Sequence, residues 1–225
     1  MLTVKEVYEA IDAFAPFASQ ESWDNSGLLV GGMAQPADRI LTTLDISEAI
    51  VAQAVAEQVQ LVVAHHPVIF SPLKTLPPDS PVYQLAAHGI AAICVHTPLD
   101  MAPLGLNTFA HTLLEKPLAL QGTQEVLEPS WTDGRGFGWI DTSACTWTPQ
   151  TLAQTLQTAF GEVRYSAAER SIRKIAYCSG SAASMLELAA AKGCDALITG
   201  DIKHDRWYAA EFAGIALFDC GHYGT

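Results

Sequence analysis

Short apolar runs that break into polar, chemistry-bearing residues set the rhythm of this chain. Leu61-Val62-Val63-Ala64 runs into His65-His66-Pro67, Ala92-Ile93-Cys94-Val95 into His96-Thr97-Pro98-Leu99-Asp100, and Ala196-Leu197-Ile198-Thr199 into Gly200-Asp201. Such runs read as buried strands, and the windows between them, rich in Ala and Leu, read as helices. The first helix is expected from about Thr3 to Ala15, opened by a Thr3/Glu6 capping box and stopped before Pro16. A later one runs from Gln150 to Phe160 behind Thr148-Pro149, with proline in the first turn.

The pattern recurs. Ile40 to His66 and Ile175 to Asp201 align without a gap as strand, helix, strand at a constant offset of 135. Tyr83 to Ala91 parallels Tyr208 to Ala216 at an offset of 125, with Gly89 and Gly214 as helix C-caps. Each of these copies leads through a strand to a histidine, His96 or His222. The expected fold class is therefore α/β: two similar lobes from an internal duplication, residues 1–115 and 116–225, with sheets flanked by helices. The stretch 115–150, punctuated by Pro117, Gly122, Pro129, Gly134, Gly136, Gly138 and Pro149, reads as the crossing between lobes, with a short strand at Phe137 to Ile140. Ligand groups in open α/β sheets gather beyond the carboxyl ends of the strands. That is where His65, His66, His96, Asp201 and His222 fall. A metal site in the cleft between the lobes follows, with the C-terminal strand and tail returning to it.

Composition narrows the partners. With 49% hydrophobic and 16% charged residues, the chain has the make-up of a packed globular protein. No apolar run is long enough to span a bilayer, and the N-terminus lacks a signal-peptide layout, so no membrane contact and a cytosolic location are expected. A net charge of −12 opposes a nucleic-acid partner. An anionic small-molecule substrate held on metal ions is still compatible with that charge. Cys94, Cys145, Cys178, Cys194 and Cys220 form no C-x-x-C pair and read as reduced, mostly buried thiols.

Neutral histidine is the commonest transition-metal ligand, and carboxylate its usual partner where thiolate is absent. His65 and His66 are the leading candidates, stiffened by Pro67. Asp100 and His222 join them, by proximity to strand ends. His96 suits either ligation or a neighbouring role, orienting a ligand or moving a proton. Asp201 and His204 fit a polar capping loop as well as a site. Trp23 reads as an aromatic tucked under the sheet, with Asp24, Asn25 and Ser26 lining the cleft. Ser179-Gly180-Ser181 is a weak anion cradle without a P-loop lysine. His88 and His111 have no companions and are not expected to be ligands.

W-D-N-S-G-L at Trp23–Leu28, H-H-P at His65–Pro67, H-T-P-L-D at His96–Asp100, G-D-I-K at Gly200–Lys203 and G-H-Y at Gly221–Tyr223 occur in this order across nearly the whole chain. In this the chain resembles the short form of the Nif-three-like family, whose bacterial members are often named GTP cyclohydrolase 1 type 2 homologs. The resemblance implies a two-metal site, one ion on His66 and Asp100 and the other on His65 and His222, with His96 handling protons, and a homohexameric ring. It also implies a glutamate after G-H-Y-x-T that bridges both ions, where this sequence stops at Thr225. Either the glutamate lies beyond the sequence given, or a water or the Thr225 carboxylate takes its place. The family's G-D-x-K-Y-H also differs here, with His204 at the tyrosine position and Asp205 at the histidine.

Two classes of function are compatible with these residues. The first is a metal-dependent hydrolase, GTP-cyclohydrolase-like, acting on a small and nucleotide-like substrate with two divalent ions. Zinc, iron, manganese and nickel suit the N/O ligands equally. The second is a non-catalytic metal binder or chaperone, or a ring-shaped regulatory scaffold.

Overall fold

Residues along the inner strands point alternately to opposite faces of a sheet, so a strand covered by helices on both faces must be apolar throughout. In the computed structural model, which describes residues 1–122, 124–131, 133–166 and 170–225, this is how both central sheets are built. The chain divides into two compact units, Met1–Ala102 and Pro103–Thr225.

The first unit runs α1 (Val4–Phe14), β1 (Gly27–Val30), β2 (Ile40–Thr43), α2 (Glu48–Ala56), β3 (Leu61–Ala64), α3 (Pro81–Ala87), β4 (Ala91–Cys94) and α4 (Thr97–Met101). The Thr3/Glu6 capping box is formed as expected. Strand order is β1-β4-β3-β2, with β2, β3 and β4 parallel and β1 antiparallel on the β4 edge. Leu61, Ala91 and Ile93 pack with Val4 and Phe17 on one face. Val62 and Ala92 pack with Val51, Ala54 and Leu85 on the other. One face thus belongs to α1, the other to α2 and α3.

The second unit runs α5 (Leu106–Glu115), β5 (Glu125–Pro129), β6 (Gly136–Trp147), α6 (Pro149–Phe160), β7 (Arg164–Tyr165), β8 (Ile172–Tyr177), α7 (Leu186–Ala191), β9 (Ala196–Thr199), α8 (His204–Ala213) and β10 (Ala216–Asp219). Its order among the described residues is β5-β6-β8-β9-β10-β7. Strands β8, β9 and β10 are parallel, and β7 is antiparallel on the β10 edge. The series helix, strand, strand, helix, strand, helix, strand is therefore the same from α1 to β4 and from α6 to β10. Strands β3 and β9, and β4 and β10, occupy the positions matched by the two sequence offsets.

One expectation needs correcting. The stretch 115–150 is not a loose crossing, because β5 and the 12-residue β6 form an antiparallel pair that extends the second sheet from β8. Its polar residues are buried because they are paired. Asp141 accepts from His111 at 2.9 Å and from the Gly122 amide, and Ser143 donates to Leu118 O while accepting from Trp147 Nε1. The two compact units meet in the chain at Ala102/Pro103. Helix α5 packs Ala110 and Leu114 into the second unit's core, and His111 is a buried structural partner of Asp141 there. The five cysteines are free, Cys145 exposed and the rest buried. Burial pushes the thiols of Cys194 and Cys220 up to about 11 and about 12.

Gly138 tests the β6 register. Its φ is +65°, and a Cβ there would lie 2.3 Å from Tyr177 O, whereas Gly134, at φ +85°, opens to empty space. Gly138→Ala is expected to destabilise the fold by more than about 1 kcal/mol and by clearly more than Gly134→Ala in denaturant melts. Equal losses would contradict the close approach of β6 to β8.

Candidate metal centre

Chemistry in the first unit collects where β2, β3 and β4 end together. Beyond Ala64 the ladder continues for two residues, with His65 N donating to Thr43 O at 3.2 Å and His66 N to Leu44 O at 2.9 Å. Pro67 has no amide hydrogen and ends it. His96 stands at the same level after β4, as the N-cap of α4. The three rings meet, with centroid separations of 4.9 Å for His65–His66, 5.1 Å for His65–His96 and 5.5 Å for His66–His96. One ligand nitrogen from each lies within 4.8 Å of the others, so this group could hold a metal ion. Asp100, one helical turn beyond His96, brings Oδ1 to 3.8 Å from His65 Nε2.

Each ring is oriented from behind. His65 Nδ1 donates to Val95 O at 3.0 Å, His66 Nδ1 to Asp45 Oδ1 at 2.7 Å and His96 Nδ1 to Asp24 Oδ1 at 2.9 Å. Carbonyl and ionised carboxylate oxygens only accept, so each Nδ1 carries the proton and the metal-binding lone pair sits on Nε2. Histidine ligands are oriented in this way at metal sites generally. The donor set therefore fits a divalent transition-metal ion.

Asp24 is the firmest of the three anchors, its side chain wholly buried. It accepts from His96 Nδ1, the Asn25 amide, Ser26 Oγ, Thr97 N and Thr97 Oγ1. Burial opposes its ionisation, but the hydrogen bonds from His96, Thr97 and Ser26 outweigh burial and hold its carboxyl well below the usual range. Burial alone would lower the His96 pKa, yet the Asp24 hydrogen bond and the charges of Asp24 and Asp100 raise it.

His222, expected as a ligand, lies in the second unit after β10. Its Nδ1 donates to Asp201 Oδ2 at 2.8 Å, which joins the ends of adjacent parallel strands as His66–Asp45 does in the first unit. A Cβ on Gly200 would lie 2.7 Å from the Gly221 carbonyl and 2.8 Å from His222 N. Glycine is what lets these two strand ends close on each other. Asp219 ties the same ends by accepting from Ile202 N and Gly221 N. His204 opens α8 with its ring against Tyr208. Trp23 is not tucked under the sheet: it is 55% exposed, its ring set edge-on to His96. The sequence reading passed over Asp45 and gave Asp24 only a lining role. The visible signal was that Asp45 follows β2 as Asp201 follows β9.

An α/β chain that groups three oriented histidines at its strand ends has a cluster that could hold a metal ion. The Duf34/NIF3 (NGG1p interacting factor 3) family model matches residues 2–225, and the chain belongs to that family. It is 34% identical over 230 residues to a Helicobacter pylori protein named GTP cyclohydrolase 1 type 2, covering 99% of this chain and 86% of that protein. It is 32% identical over 238 residues to a Streptococcus pneumoniae protein named GTP cyclohydrolase 1 type 2 homolog, covering 99% and 85%. Its fold matches a Staphylococcus aureus crystal structure with a TM-score of 0.88 at 24% identity, over 99% of this chain and 87% of that one. A Bacillus cereus protein related to NIF3 superposes with a TM-score of 0.86 at 19% identity, over 98% and 88%.

Asp24→Asn is expected to weaken zinc binding about 10- to 100-fold in competition with a chelator. It should also lower thermal stability at neutral pH. Because the folded carboxyl has a lowered pKa, its stabilisation is complete above the ordinary value of 3.8 and drains away as pH falls below it. The stability gap between wild type and variant should therefore close in acid. A gap that is constant with pH would contradict the ionised anchor.

Proposed function

We propose that the chain is a metal-dependent hydrolase holding two divalent ions, with His65, His66, Asp100 and His222 as ligands and His96 as the proton-handling group. The observation that carries this reading is the shared anchoring of three rings, each with Nδ1 hydrogen-bonded to an oxygen and one ligand nitrogen of each within 4.8 Å of the others. Ions bound there would act as Lewis acids on a carbonyl, ring carbon or phosphoryl group and bring water to reactivity at neutral pH. Asp24 fixes the His96 tautomer, so Nε2 is the atom that takes a proton and returns it. The relatives' names point to a nucleotide such as GTP as the substrate, and to ring opening as the reaction. The recurring order of elements supports an origin by duplication. A cytosolic homohexamer, with ligands drawn from both units, completes the proposal. Among the described residues, no helix is long and apolar enough to cross a membrane.

A second reading has its own observation. His96 belongs to the same nitrogen group as His65 and His66, and it would be a third ligand in a protein that binds metal without catalysis.

Metal analysis and turnover of GTP and a panel of phosphoesters separate the two. Wild type is expected to retain about two ions per chain, and His66→Ala and Asp100→Ala to lose metal and turnover together. His96→Ala is expected to keep its metal and lose about 100-fold or more in rate. Loss of metal in His96→Ala, with no turnover by wild type, would select the second reading. Less than about half an ion per chain in wild type would overturn both. If metal is bound, chelation should lower the melting temperature, since the ion favours the folded state.

A further inference from the structure

Two large aromatic rings stand open beside the histidine cluster. Trp23 is 55% and Phe70 53% exposed. Their centroids are 6.1 Å apart, and the Trp23 ring meets His96 edge-on at 5.8 Å. Single exposed aromatics are ordinary on protein surfaces, but this pair shares a braced backbone. Trp23 adjoins the fully buried carboxylate of Asp24, which is fixed by Ser26 and Thr97. Asn25 Nδ2 donates to Ile69 O at 2.6 Å, so the turn carrying Trp23 also holds the segment carrying Phe70. An apolar wall next to convergent polar groups is the make-up of a small-molecule site.

Charge narrows the occupant. Residues 20–28, 43–46, 64–72 and 94–102, which frame the cluster, contain no Lys or Arg, while Asp24, Asp45 and Asp100 lie within them. These segments offer a phosphate no lysine or arginine. They offer a flat ring two aromatic side chains, their planes tilted by 46° to each other, and imidazole and carboxylate groups to its polar edge.

We propose that Trp23 and Phe70 form a stacking wall that takes the planar ring of a heteroaromatic substrate and turns its polar edge toward His65, His66 and His96. The fate of that substrate rests on the hydrolase reading above, whereas the stacking is measured separately. Ring stacking on an aromatic side chain is sequence- and substituent-tolerant because every such base has a π-face. The wall therefore selects for planarity, and the histidine cluster for the atoms at the ring's edge.

The test is equilibrium binding of guanosine and of ribose 5-phosphate to the full chain, with and without added zinc. Wild type, Trp23→Ala, Trp23→Phe and Phe70→Ala are compared, with metal content and oligomeric state measured on each. Guanosine is expected to bind wild type, and ribose 5-phosphate not to. Trp23→Ala and Phe70→Ala should each weaken guanosine binding about 10-fold or more, and Trp23→Phe should retain most of it, all with unchanged metal content. Guanosine binding that is absent in wild type, unchanged in both alanine variants, or matched by ribose 5-phosphate would overturn the wall. So would a change of oligomeric state with binding unaltered. Wild type without zinc but with the aromatic effect intact would overturn the metal reading alone.

Discussion

A carboxylate sealed away from solvent holds the first unit's chemistry in place. Asp24 sits in a turn ahead of β1, yet it receives hydrogen bonds from His96 and Thr97, more than 70 positions later. Removing a carboxylate from water is costly unless its lone pairs are filled, and here five donors fill them. The same bonds fix the orientation of His96 and the start of α4, and so the helix that carries Asp100. They also fix the turn from which Trp23 projects. If that anchor were lost, imidazole, carboxylate and indole would all be freed from their common frame.

The parallel sheet supplies the rest of that frame. Strands β2, β3 and β4 end at one level, and their polar residues emerge where apolar burial stops. Asp45, His65, His66 and His96 are thereby brought together from three separate stretches of chain. The second unit has a comparable pair one strand further along, with Asp201 after β9 and His222 after β10. In both units a carboxylate at one strand end orients a histidine at the next, so the sheet's register decides the alignment of the rings.

Much of this was legible in the residues. Strands β3, β4, β9 and β10 are buried almost throughout, which leaves continuous apolar runs with clear ends, and the recurring order of elements could be read off them. His65, His66, His96 and Asp100 stood out by residue type at those ends. The β5–β6 pair was hidden because Asp141 and Ser143 look like loop residues, and their partners lie on α5 and the segment after it. Asp24 was unreadable as an anchor for the same reason: an acceptor's identity is local, but its donor is 72 residues away. Trp23 reads as core by size. Only the fold shows that its neighbour Asp24 takes the buried place and leaves the indole outside.

The orientation of the three rings is the claim on which the site depends, and nitrogen-15 NMR of the histidine side chains tests it most directly. In metal-free protein at neutral pH, the neutral forms of His65, His66 and His96 are predicted to carry the proton on Nδ1, and added zinc to shift Nε2 resonances of the cluster while leaving Nδ1 protonated. Protonation on Nε2 in the neutral rings, or Nε2 resonances that ignore zinc, would contradict the account.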